Sequence, residues 1–193
     1  MTRRVFQKLL FSAVLGAEPE PIPLLSETEF ADVFDPEIQE QIRRKCSSRA
    51  NSTSYIFTAI PPWTRAWVNW FRAQPADSPG KQQYVLFLKE TYSYNINDVN
   101  KAYGIDSTSF TDLGQFNWST AKLDAAKPRA DDEEFLGWIA QTLFNTAADA
   151  IRKADPNHPI RGQKLGPNAP KSVREANAKV QEVGRPRPQA PRP

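Results

Sequence analysis

The passage from Thr146 to Asn177 leaves few folds open to this chain. Ala147, Ala150 and Ile151 recur at helical spacing between polar Asp149, Arg152 and Lys153. Asp155-Pro156-Asn157-His158 must end that helix, because proline has no N–H to donate and its ring collides with the preceding turn. Pro159 to Leu165 reads as extended up to Gly166-Pro167, and Pro170 opens another helix on Val173, Ala176 and Val180. Helix, turn, strand and helix make half of an α/β repeat, the unit from which parallel sheets are built.

Upstream, the same grammar recurs. Asp35 reads as an N-cap with Pro36 at the first helical position, opening a helix that runs to about Cys46. Ser54 to Ile60 is β-branched and aromatic, bounded by a polar loop and Pro61-Pro62, and is the best strand in the chain. Thr64 can cap a short helix carrying Trp67, Trp70 and Phe71. Ser78-Pro79 repeats the cap-and-proline signal for a helix to about Tyr92, with Tyr84, Val85 and Leu88 inward. Asn95 to Tyr103 is a further short helix closed by Gly104, and Phe110 to Lys127 reads as mostly irregular with Phe116 and Trp118 as anchors. The longest helix is expected from about Asp131 to Ala154, on a stripe of Phe135, Ile139, Leu143, Ala147 and Ile151. Its acidic run Asp131 to Glu134 reads as a first turn at the positive end of the helix dipole.

The ends differ in composition. Residues 1–29 read as an N-terminal segment and linker, proline-rich from Glu18 to Pro23, and residues 184–193 as an extended, disordered Pro/Arg-rich tail. The domain proper is expected over 30–183. Arg3, Arg4 and the apolar stretch Leu9 to Ala17 read either as a weak export signal or as an amphipathic helix. No stretch approaches the roughly 20 apolar residues of a membrane span. The net charge of +3 is carried largely by arginines near the two ends, so no basic face interleaved with aromatics is expected and nucleic acid is not a partner. The single cysteine, Cys46, shares a helix face with Ile38 and Ile42 and reads as a small buried hydrophobe. One histidine, His158, sits in the Asp-Pro-Asn-His turn, which excludes multi-histidine metal sites and argues against a Ser/His/Asp triad. No metal and no cofactor are expected.

Several passages, in order from about Phe30 to Val180, resemble agarase-like and β-galactosidase-like (β/α)-barrel glycoside hydrolases. Ala150 to His158 (AIRKADPNH) resembles their "AIRKADPNHLILG", and Phe30 to Glu37 resembles "PDVFDPEF". Pro62-Trp63 falls where those enzymes place a proline-tryptophan pair after a catalytic Asp-Asn-Glu. Trp67 to Phe71 and Ser78 to Gln82 match the next helical stretch, and Tyr92, Asn95 to Gly104 and Ser109 to Leu113 match a "Y…I…LN.AYGT…SF.DL" passage. The resemblance implies an α/β chain, helix-rich, forming part of a (β/α) TIM-barrel-like fold. A complete eight-stranded barrel takes about 250 residues, more than the 193 present.

The resemblance also implies a chemistry and the residues that should carry it. Retaining glycosidases need two carboxyl groups about 5–5.5 Å apart, acid/base and nucleophile. In the resembled enzymes the acid/base glutamate ends a strand reading "GYFTDNELPW". Anchored on Pro62-Trp63, the positions of Asp-Asn-Glu are held by Thr58, Ala59 and Ile60, and no Asp or Glu occurs between Glu40 and Asp77. The strand-end "GDR" or "GCR" reads Gly162-Gln163-Lys164, and the family's nucleophile strand of the "VDVVSVN" kind is not found after Val180. No catalytic residue is therefore assigned. Expected instead is a galactose-type hydrolase relative that has lost activity, or a non-enzymatic carbohydrate-binding or interaction protein descended from one. Trp63 is the candidate substrate-binding residue, as an aromatic that either stacks on a sugar ring or packs on Trp67 at the barrel mouth. Asp98, Asp106, Asp112 and Asp124 read as caps or loop residues, and Glu90 and Asp149 as helix exterior. Sheet edges left uncovered would favour self-association.

Overall fold

The computed structural model describes residues 19–25, 30–48 and 53–183. Within them lie three strands, β1 (Glu20–Pro23), β2 (Tyr55–Thr58) and β3 (Ile160–Gln163), which form one parallel sheet in the order β1-β2-β3. The helices are α1 (Pro36–Ser47), α2 (Arg65–Ala73), α3 (Pro79–Thr91), α4 (Ile96–Tyr103), α5 (Phe110–Gln115), α6 (Ala126–Ala154) and α7 (Lys171–Val183), with a 3-10 turn at Trp118–Thr120. The chain is thus a helix-rich α/β fold in which strands neighbouring in sequence are neighbours in the sheet.

The cap signals act as expected from their chemistry. Asp35 accepts from Glu37 N at 2.7 Å and Ser78 from Lys81 N at 3.4 Å, each with proline inside the first turn. Asn95 and Ser109 cap α4 and α5 in the same way, whereas Thr64 precedes α2 without a side-chain cap bond. Along each strand the side chains alternate between faces. Ile22, Tyr55, Phe57 and Ile160 are buried on the helix side, where Phe57 stacks on Phe144 of α6 at 5.7 Å. Pro21, Pro23 and Arg161 on the opposite face are exposed.

Helix α6 is the axis of the fold, packing most extensively on α7 and α1 and also touching α2, α3 and α4. Its stripe of Phe135, Ile139, Leu143, Ala147 and Ile151 is buried throughout. Aromatic side chains fill the space between α2, α3 and α6: Phe71, Tyr84 and Phe87 all contact Phe135 at ring separations of 5.0–5.7 Å. Gly80 allows α3 to begin against α2, since a Cβ there would lie 2.2 Å from the Phe71 ring. Cys46 is buried at 1% exposure and its thiol is pushed up to about 12 by that burial, as suits a core residue.

Four expectations need correction. The segment Glu18 to Pro23 is not wholly a linker, because Glu20–Pro23 is strand β1, with Ile22 and then Leu24 fully buried. Its prolines misled because they sit at alternate positions: Glu20 N and Leu24 N donate to β2, so Pro21 and Pro23 present their missing N–H to the outer edge. Phe110 to Lys127 is less irregular than its composition suggests, holding α5 and the 3-10 turn. Helix α6 starts at Ala126, with Pro128 tolerated in the first turn, so Asp131 and Asp132 are not first-turn residues. On α3 the third inward residue is Phe87, while Val85 is half-buried. The expectations for residues 1–18 and 184–193 lie outside the described residues. Among the described residues no helix is long and apolar enough to cross a membrane.

Candidate functional site

Two places gather chemistry-bearing side chains. The first is the C-terminal end of the sheet, where parallel α/β folds place their ligands. Thr58, Ala59 and Ile60 leave β2 there, with Ala59 in the left-handed region at φ 50° and its carbonyl accepting from Leu25 N at 3.0 Å. Ile60 packs half-buried against the core. None of the three can carry a proton to a leaving group. Leu24 and Leu25 follow β1, and Lys164 and Leu165 follow β3, and none of these four described residues carries a carboxyl group.

Trp63 closes this end. Its indole stacks on Trp67 at 4.7 Å and 22°, meets Phe144 edge-on, and donates from Nε1 to Gln163 Oε1 at 2.8 Å. At 9% exposure most of the ring is spent on core packing. Gln163 is held in turn by α7. The Asn177 side chain accepts from Gln163 N at 2.8 Å and donates to Gln163 O at 2.9 Å. Tyr55 pairs with Ile160 and Phe57 with Gln163, so β3 carries one extra residue, and Gly162 supplies the left-handed φ of 64° that this bulge needs. A Cβ on Gly162 would meet Asn177 Oδ1 at 2.2 Å.

The second place is a buried ionic cluster among α2, α3, α4 and α6, which sequence reading missed. Asp132, fully buried, binds Arg72 through its Oδ1 and accepts from Arg65 Nε at 2.7 Å. Asp131, also fully buried, accepts from Tyr92 Oη at 2.6 Å, Tyr103 Oη at 3.0 Å and Lys127 Nζ at 2.5 Å. Arg72 Nε donates to Tyr84 Oη at 2.8 Å. Burial pushes the Tyr84 phenol up to about 12, and burial with Asp131 beside it raises Tyr92 further. Lys81, 2% exposed, donates to the Arg72 carbonyl, and burial next to Arg72 lowers its ammonium to about 8. The signal was present in the stripe: four residues before Phe135 stands Asp131, so the buried face of α6 continues into its carboxylates.

Elsewhere the acidic residues hold structure. Asp32, half-buried, accepts from Gly80 N at 2.7 Å and Phe34 N at 3.1 Å, and burial raises its carboxyl above the ordinary range. Asp155 accepts from Tyr55 Oη at 2.5 Å and pairs with His158 Nδ1 at 2.8 Å, which fixes the turn into β3. Asp98, Asp106, Asp112 and Asp124 are exposed, as are Glu90 and Asp149, and Asp124 pairs with Arg65 and Arg129. Among the described residues no group of three or more His, Cys, Asp or Glu is arranged to hold a metal ion.

No protein-family model matches the sequence, and no curated protein matches it. Solved structures match in fold. An exo-beta-agarase is similar with a TM-score of 0.67 at 18% identity, covering 81% of this chain and 26% of that chain. PfGH50B is similar at 0.69 and 19%, covering 81% and 27%, and the agarase AgWH50C at 0.69 and 19%, covering 84% and 27%. The chain spans about a quarter of the length of these proteins, and it shares with them an agarase-like fold.

Proposed function

We propose that this chain is a sector of an agarase-like (β/α) barrel from a glycoside hydrolase lineage, and that it does not itself hydrolyse glycosides. Sequential parallel strands with intervening helices are the order from which a barrel is wound, whereas doubly wound sheets reverse direction. The observation that carries inactivity is the end of β2. The position that the resemblance assigns to the acid/base glutamate is Ile60, packed on the core, with Thr58 and Ala59 before it. General acid catalysis needs a proton within hydrogen-bond reach of the departing oxygen, and the sec-butyl side chain of Ile60 offers none.

A carbohydrate-binding or interaction role is the second reading, favoured by the Trp63–Gln163 pair at the same strand ends. In that reading Trp63 contributes the exposed remainder of its indole and its grip on the Gln163 amide, and the ligand is a galactose-type oligosaccharide. Purified chain incubated with aryl β-galactosides and agar oligosaccharides separates the readings. No turnover is expected from either substrate class. Saturable oligosaccharide binding lost in Trp63→Ala would favour the binding role, and turnover abolished by changing one carboxylate would overturn the proposal.

A further inference from the structure

A cleft of about 610 Å3 opens between the end of α2 and the segment linking α5 to the 3-10 turn, and it shares no lining residue with the strand ends. Arg72, Lys81 and Trp118 line it, together with Phe116, Pro75 and Gln115. No carboxylate lines it.

Counting donors shows what the cleft lacks. A guanidinium offers five N–H groups and an ammonium three. Arg72 directs Nε to Tyr84, Nη1 to Asn69 at 2.9 Å and Asp132 at 3.5 Å, and one Nη2 hydrogen to Asp132. Lys81 makes one bond, to the Arg72 carbonyl. Trp118 Nε1 is buried with no acceptor among the described residues. One Arg72 hydrogen, two Lys81 hydrogens and the indole hydrogen are therefore left without acceptors among the described residues, on three side chains that line the same cleft.

The charges lean the same way. Asp132 is shared between Arg72 and Arg65, and among the described residues no carboxylate pairs with Lys81. The Lys81 ammonium stands over the Trp118 ring at 5.9 Å, but a buried cation with no anionic partner remains costly.

We propose that this cleft binds a compact oxyanion, a phosphate or carboxylate group carried on a small molecule, on the floor formed by Arg72, Lys81 and Trp118. The oxygens take the spare hydrogens as charge-assisted bonds, and Phe116 and Pro75 flank the body of the ligand. The site is independent of the sugar reading, so each can fail without the other.

Calorimetric titration of the full chain with inorganic phosphate and, separately, with acetate at constant ionic strength tests it. Saturable millimolar or tighter binding of one or both is expected; phosphate alone marks a phosphate site, acetate alone a carboxylate site. Lys81→Met keeps the stem and should weaken binding at least tenfold. Gln115→Glu, on the exposed rim, places a competing carboxylate at the cleft without disturbing the core, and should weaken it too. That second variant decides the matter if Lys81→Met does not fold. The affinity should also fall between pH 7.5 and 9.5, in step with loss of the Lys81 proton. The groups around Lys81 are Arg72 from α2, Tyr84 from its own helix and, behind Arg72, Asp132 from α6. No saturable binding of either anion, or binding unchanged in a folded variant, would overturn the assignment.

Discussion

The Asn177 side chain acts on Gln163 as a neighbouring strand would, accepting from its N–H and donating to its carbonyl at 2.8 and 2.9 Å. Helix α7 thereby fixes the bulge of β3 and, through the Gln163 side chain, the ring of Trp63. Asn177→Ala leaves two main-chain groups without these partners and should cost about 2–3 kcal/mol. Urea unfolding measures the loss, and tryptophan fluorescence should shift as Trp63 loses its anchor. An unchanged midpoint would contradict the clamp.

Asp132 should be among the least replaceable residues. Asp132→Asn removes the charge that holds both Arg72 and Arg65, leaving Arg72 buried without its counter-ion. Breaking a buried pair in this way costs about 3–5 kcal/mol. A loss within the range of surface substitutions, about 0.5 kcal/mol, would show that the cluster is solvated.

Lys81 gives stability a pH dependence of known sign. Its folded pKa of about 8 lies below the ordinary 10.5, so between these values the unfolded chain holds more protons and stability should rise with pH. The buried thiol of Cys46 and the phenol of Tyr84, both raised to about 12, act in the opposite sense from about pH 9 upward. The difference between wild type and Lys81→Met isolates the lysine. In the absence of phosphate and carboxylates that difference should change progressively from pH 8 to 10.5 in favour of the wild type; a flat difference would contradict the depressed pKa.

Ala59 adopts φ 50°, a left-handed conformation that costs a non-glycine residue about 1 kcal/mol. Ala59→Gly should therefore raise the thermal midpoint slightly, by an amount worth at most about 0.5 kcal/mol after the added freedom of the unfolded chain is counted. A drop in midpoint would mean the methyl group is packed rather than strained.

Ile60→Glu should not create a glycosidase. A lone acid contributes about 10²–10⁴-fold at best, and retention also needs a second carboxyl group about 5–5.5 Å away. Among the described residues at the strand ends, Leu24, Leu25, Lys164 and Leu165 supply none. Release of nitrophenol from an aryl galactoside by this variant above the buffer rate would refute the expectation.

Local chemistry was legible wherever one residue decides the backbone. Asp35, Ser78, Asn95 and Gly104 set their helix ends, and the β-branched run at Tyr55 made β2. The Phe135 to Ile151 stripe announced the axis of the fold. Strand β1 was hidden because its prolines suggest a linker unless the side on which each N–H points is known. The ionic cluster was hidden for a related reason. Asp131 and Asp132 look like dipole residues until the helix start is placed at Ala126, and Arg72 and Lys81 look solvated until α2, α3 and α6 are brought together. Trp63 was legible as an anchor at the strand ends, while its partner Gln163 depended on the bulge at Gly162.

Strand β1 also gives the sheet a direction. At its outer margin Pro21 and Pro23 present carbonyl oxygens but no N–H groups. A strand laid alongside would receive no hydrogens at those positions, so reciprocal pairing is closed on that flank. Two copies of the chain cannot zip together through a pair of β1 margins, because neither brings an N–H at Pro21 or Pro23. The two margins of the sheet are thus closed by different means, the one by proline at alternate positions and the other by an asparagine side chain set against Gln163.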